Sequence, residues 1–168
     1  CAFVLISGAS GSGKSSLARA GVLPDIVENE IDDVVESWKH LAFTPGELGT
    51  DLITGLAQKL AEILPALRED ETTLADFTTQ LRQDPAFAYR QFLSKALGPK
   101  QRLILLVDQL EELFTGGEIP ESERDTFANA LETLARSGSV WIVATMRSDF
   151  SHHCQSVPAL LRLREGGG

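Results

Sequence analysis

Gly8-Ala9-Ser10-Gly11-Ser12-Gly13-Lys14-Ser15, entered from the apolar run Ala2 to Ile6, satisfies the phosphate-binding pattern G-x-x-x-x-G-K-[ST] at every fixed position. An apolar strand that runs into a glycine loop and then a helix is the opening unit of an α/β nucleotide-binding fold. Glycines have no Cβ, so the backbone can curl until successive N–H groups point inward at a β-phosphate. Lys14 adds a cation, and Ser15 adds a hydroxyl that can ligate Mg²⁺. The helix that begins near Gly13 aims the positive end of its dipole at the same anion. The expected nucleotide contacts are therefore Gly8, Ala9, Ser10, Gly11, Ser12, Gly13, Lys14, Ser15 and Ser16.

Strands and helices alternate beyond this loop. Ala2 to Ser7 reads as a strand buried on both faces, Glu36 to Phe43 as a second, Leu103 to Val107 as a third and Val140 to Ala144 as a fourth. Leu17, Ala18, Ala20 and Val22 give the first helix an apolar side, which Pro24 is expected to close. Asp51 caps a helix carrying Ile53, Leu56, Leu60 and Ile63 up to Pro65. Residues 70 to 98 read as two helical pieces broken at Asp84-Pro85, with Leu74, Phe77 and Leu81 on one face and Phe87, Phe92, Leu93 and Leu97 on the next. Pro120-Glu121 opens a helix with the stripe Phe127, Leu131 and Leu134, and Gly138 follows as its left-handed cap. The pattern predicts a three-layer α/β/α domain on a mainly parallel sheet, with ligands at the carboxyl ends of the strands.

Three of those strand ends carry chemistry. Asp108 closes the most apolar strand, where a P-loop needs a carboxylate to hold Mg²⁺ and its waters alongside Ser15. Glu111 and Glu112 follow as candidates to activate a water; Glu112 is preferred, and Gln109 could instead position that water. A helix starting here would let only one of the two glutamates face the γ-phosphate. Arg147, three residues past the fourth apolar strand, can carry a fixed charge to the γ-phosphate.

Composition narrows the function classes. With 168 residues, 43% hydrophobic and 23% charged, the chain is one ordinary globular domain by length. A formal net charge of −9 argues against general attraction to nucleic acid or anionic lipid. The acids crowd into Asp25, Glu28, Glu30, Asp32, Asp33 and Glu36, read as a solvated face, and into Glu111, Glu112, Glu118, Glu121, Glu123 and Asp125. Cys1 and Cys154 are too few for a disulfide framework, and three adjacent residues His152-His153-Cys154 cannot wrap a tetrahedral zinc. No run is long enough to cross a bilayer and no signal peptide opens the chain, so a cytoplasmic location is expected. The start at Cys1 and the terminal glycines suggest a piece of a longer protein.

Gly8 to Pro24, then Leu106-Val107-Asp108-Gln109-Leu110-Glu111-Glu112-Leu113-Phe114, then Ala144-Thr145-Met146-Arg147-Ser148-Asp149-Phe150, together resemble the novel STAND NTPase family. The spacing of Asp108, Glu111 and Glu112 is also similar to the Walker B motif of the related NACHT group. The resemblance implies a signal-transduction ATPase set between an N-terminal effector domain and C-terminal ligand-sensing repeats of the same chain. It further implies closing helical and winged-helix parts, and an Arg147 that reads the γ-phosphate. One position departs: family members often carry an arginine directly before the Pro-Gly after strand two, where this chain has Phe43-Thr44 before Pro45-Gly46.

Asn-Lys-x-Asp, the guanine-reading motif, is absent, which favours ATP and ADP with Mg²⁺ as the ligands. The expected function is an ATP-hydrolysing switch that oligomerises on activation, with weak turnover by this stretch alone. A small-molecule P-loop kinase and a nucleotide-binding scaffold with little hydrolysis stand as alternatives.

Overall fold

The computed structural model describes residues 2–28 and 35–166; Cys1, the acidic Glu30, Asp32 and Asp33, and the terminal Gly167 and Gly168 lie outside them. Four strands, β1 (Phe3–Gly8), β2 (Ser37–Phe43), β3 (Gln101–Val107) and β4 (Val140–Arg147), pair in parallel in the order β1-β4-β3-β2. Helices cover both faces, so the fold is the three-layer α/β/α arrangement expected. Leu103 to Val107 are fully buried because β3 has a strand on each side and helices above and below.

One strand departs from its reading. β1 is not buried on both faces: among the described residues it pairs only with β4, and Val4 is 56% exposed. Its place at the sheet edge follows from strand order, which apolarity does not encode. Val4 joins Val22, Ile26 and Trp141 along an apolar groove of about 450 Å³. β4 runs three residues further than its apolar stretch, because Thr145, Met146 and Arg147 pair with Ile6, Ser7 and Gly8. Arg147 is thus the last strand residue, level with the first glycine of the loop.

The helical run after the loop is built in three pieces: α1 (Lys14–Ser16), a π-helical turn at Leu17–Val22, and α2 (Leu23–Glu28). Pro24 does not end it. The Leu23 N–H reaches back five residues to the Ala18 carbonyl, and the wide turn lets Pro24, which has no N–H to donate, sit in the first turn of α2. The wide turn also rotates the packed face. Leu17, 55% exposed, and Ala20 point outward, while Ala18, Val22, Leu23, Ile26 and Val27 pack against Ile104, Leu106 and Val143.

The other face carries α3 (Leu52–Ile63), α4 (Thr73–Gln83), α5 (Pro85–Ala88) and α6 (Ser94–Leu97), then the short α7 (Glu112–Thr115), α8 (Glu121–Ala135) and α9 (Pro158–Arg164). Asp51 caps α3 by accepting from the Thr54 N–H at 2.9 Å. Asp84 ends α4 and caps α5 through the Phe87 N–H at 3.0 Å, so one Asp-Pro pair makes the expected break. Phe77 and Leu81 are fully buried, whereas Phe87 faces outward and Pro85 and Ala88 fill its expected place. Gly138 is left-handed at φ 83°, two residues past the Arg136 cap of α8.

The 3-10 segment Ser148–Ser156 and α9 add to the elements expected from the sequence, and α9 buries Ala159, Leu160 and Leu163 at helical spacing. α9 is tied to α8 by Arg162, whose Nη2 donates to Glu132 at 2.7 Å. Of the described acids in the first cluster, Asp25, Glu28 and Glu36 are exposed, and Glu36 pairs with Lys100.

Gly55 lets α3 lie against the turn Pro45–Leu48: a Cβ there would sit 2.3 Å from the Leu48 carbonyl oxygen. Gly55→Ala should therefore destabilise the domain by about 2 kcal/mol, because overpacking against backbone exceeds the roughly 1 kcal/mol gained in helix propensity. Urea titration of the two proteins checks the sign; a stabilised variant would show that α3 can shift.

Candidate functional site

Strand ends define the site. After β3 the chain is pinned on both sides: the Asp108 N–H donates to the Phe43 carbonyl of β2 at 2.8 Å, and the Leu110 N–H to the Thr145 carbonyl of β4 at 2.8 Å. Between them Gln109 takes a left-handed φ of 57°, a conformation that costs a non-glycine residue about 1 kcal/mol. Its N–H gains Thr145 Oγ1 at 2.9 Å, and the reversal carries Glu111 and Glu112 back over the cleft.

On the loop side, Gly11 (φ 71°) and Gly13 (φ 82°) hold left-handed backbone. A Cβ on Gly8 would come within 2.9 Å of Ser12 Oγ, so the loop closes tightly over its own start. The half-buried Lys14 folds over the loop, its Nζ donating to the Ala9 carbonyl at 2.6 Å.

The two halves meet at Asp108. Ser15 Oγ donates to Asp108 Oδ1 at 2.7 Å, and Thr145 Oγ1 donates to the same oxygen at 2.5 Å. Arg19 Nε donates to Oδ2 at 3.0 Å. Asp108 is only 2% exposed. Burial opposes its charge, but the bonds from Thr145, Ser15 and Arg19 outweigh that and hold its carboxyl below the usual range. Hard oxygen donors of this kind, a hydroxyl beside a carboxylate, suit Mg²⁺. Among the described residues no three His, Cys, Asp or Glu side chains cluster to hold a metal by themselves. A cation at Ser15 and Asp108 would therefore complete its shell from phosphate and water oxygens.

A cleft of about 470 Å³ opens above this junction, lined by Ser10, Gly11, Lys14, Ser15, Gln109, Glu111, Glu112, Thr115, Thr145 and Arg147. The size suits a small phosphorylated ligand. Both glutamates line it, and the helix after β3 begins at Glu112. They are held from opposite sides. Glu111, 8% exposed, accepts from the Arg147 backbone N–H at 3.2 Å; Glu112 accepts from the Gly46 N–H at 2.7 Å. The loop bearing Gly46 closes on itself where the family's arginine is missing: the Thr44 N–H donates to Glu47 at 3.3 Å in a capping box.

The Arg147 guanidinium lies 5.1 Å over the Phe150 ring and grips Asp149, with Nε–Oδ1 at 3.1 Å and Nη2–Oδ2 at 2.6 Å. That hydrogen bond raises Arg147's pKa and lowers Asp149's. The ion pair is solvent-facing, and such pairs are weak enough to yield to a competing anion. Beyond it, His153 stacks between Phe114 at 5.1 Å and Phe150 at 5.5 Å. Cys154 is buried 3.6 Å from the Met146 sulfur, and burial raises its thiol pKa.

Arg19, Asp149 and Gly46 are contacts that motif reading missed. Arg19 follows Ser15 by one helical turn and Asp149 follows Arg147 by two residues, so both spacings were visible. Gly46 has no comparable signal, since only packing brings the loop after β2 to Glu112.

No helix among the described residues is long and apolar enough to cross a membrane. Neither curated proteins nor solved structures return a match. A family model described as Novel STAND NTPase 1 matches residues 1–167, nearly the whole length, and the chain belongs to that family.

Proposed function

We propose that the chain is the Mg²⁺-dependent, ATP-binding and ATP-hydrolysing switch module of a signal-transduction NTPase. The observation that carries this reading is the 2.7 Å bond from Ser15 to Asp108, which joins the phosphate loop to the carboxylate at the end of β3. Family membership supports a nucleotide-binding signalling module in general, set in a multidomain chain with effector and sensor domains.

In this reading the loop from Gly8 to Ser16 cradles the phosphates and Lys14 neutralises their charge. Ser15 and Asp108 hold Mg²⁺, which would draw charge from the phosphates. Glu112, oriented by the Gly46 amide, accepts a proton from the attacking water, while Glu111 holds the end of β4 in place. Arg147 leaves Asp149 for the γ-phosphate, so a triphosphate makes a contact that a diphosphate lacks. A difference of that kind is what a switch, with oligomerisation on activation, requires. The module acts in the cytoplasm on a nucleotide, with neither membrane nor nucleic acid as a partner.

The same contacts support a second reading, a nucleotide-binding scaffold with little turnover, because Glu112 and Arg147 are both engaged by protein partners. Product analysis with ATP and Mg²⁺ separates them. Phosphate released in step with ADP is the expected result. Bound ATP without phosphate release supports the scaffold, phosphate on an added acceptor a kinase, and no binding of ATP or ADP at millimolar concentration removes the nucleotide reading.

A further inference from the structure

Arg19 has no part in that reading, yet among the described residues it is the cation paired with Asp108. Ser15 and Arg19 stand one helical turn apart, so one helix face presents a hydroxyl to Oδ1 and a guanidinium to Oδ2 of a single carboxylate. The Asp108 side chain is almost sealed from water, and a sealed carboxylate without a cation is strongly disfavoured. Arg19 is 45% exposed at its side chain and long enough to swing its head into solvent. Asp108 therefore has a cationic partner with room to swing away, tethered next to the hydroxyl that would ligate a metal.

We propose that Arg19 is a resident counter-cation of Asp108 that substitutes for Mg²⁺, so that this domain binds ADP with little dependence on the metal. The proposal rests on the reading that Ser15 and Asp108 hold the Mg²⁺ of a bound nucleotide. A divalent ion near Asp108 shares its carboxylate with a guanidinium already in place, and two cations on one carboxylate oppose each other. Arg19 thereby weakens the coupling between Mg²⁺ and nucleotide, which leaves an ADP-bound state intact when the metal is lost. It is a positioning residue, since its contact is with Asp108.

The test measures ADP dissociation constants for the 168-residue chain in EDTA and in saturating Mg²⁺, using a fluorescent ADP. The unsubstituted chain should show a ratio below about tenfold; Arg19→Gln and Arg19→Met should each raise it by about tenfold and lower the half-saturating Mg²⁺ concentration. Arg19→Lys, which keeps the charge, should stay within about threefold of the unsubstituted chain. In an Asp108→Asn background, Arg19→Gln should leave the ratio unchanged.

An unsubstituted ratio well above tenfold overturns the proposal with no variant needed. So does an unaltered ratio in both neutral variants, with circular dichroism confirming that they fold. A change that persists in Asp108→Asn also overturns it, because the effect then does not pass through the carboxylate. Failure of the unsubstituted chain to bind ADP at all would instead remove the nucleotide reading beneath it.

Discussion

Lys14→Ala is expected to weaken ATP and ADP binding by about a hundredfold, the loss of a charge-assisted bond to phosphate worth roughly 1.5–3 kcal/mol. Lys14 Nζ donates to the Ala9 carbonyl at 2.6 Å and reaches Ser12 Oγ at 3.4 Å, so the ammonium lies over its own loop. Phosphate oxygens would replace those neutral acceptors with charged ones, a gain available only to the ligand-bound state. Lys14 is half-buried and its ammonium bonds to atoms of its own loop, so thermal unfolding of the variant should track that of the parent chain. Calorimetric titration with ADP and with ATP measures the effect, and unchanged affinity in a folded variant would end the phosphate-loop assignment.

Glu112→Gln is expected to lower turnover by 10²–10⁴, the usual contribution of a positioned general base, while ATP affinity stays within about threefold. Glutamine keeps an amide oxygen that can still accept from the Gly46 N–H, so the tether to the loop after β2 survives and only the basic group is removed. Glu111→Gln is the companion variant. Its carboxylate accepts from the Arg147 amide at the end of β4, a bond that an amide oxygen also preserves. Phosphate release that survives in Glu112→Gln and collapses in Glu111→Gln would reassign the base to the more buried glutamate.

Much of the site was legible because its residues lie at strand ends, and strand ends can be read from apolar runs. Asp108 follows five fully buried residues, and the P-loop follows β1, so both halves were placed without tertiary information. The helix that packs beneath the loop was read in part: Ala18 and Val22 pack as expected, Leu17 and Ala20 do not. Leu17 and Ala20 point outward, and through the π-helical turn the packed face runs from Ala18 and Val22 on to Ile26 and Val27. The departure is a matter of hydrogen-bond register, which the pattern of apolar side chains does not carry. β4 was legible to its end: Thr145, Met146 and Arg147 continue the apolar run, and pairing with β1 keeps the polar ones in the strand.

From the sequence alone came the phosphate loop, the apolar strands, the carboxylate after β3, the paired glutamates and the resemblance to the STAND family, because each is a local pattern of residue type and spacing. Tertiary structure alone decided which partner each charged group meets. Asp108 faces Arg19 as well as Ser15, Glu112 is held by Gly46, Arg147 by Asp149, and β1 lies at the edge rather than the centre of the sheet. Most of those contacts join residues far apart in the chain, brought together by parallel pairing and helix packing, and no periodicity records a meeting across the fold.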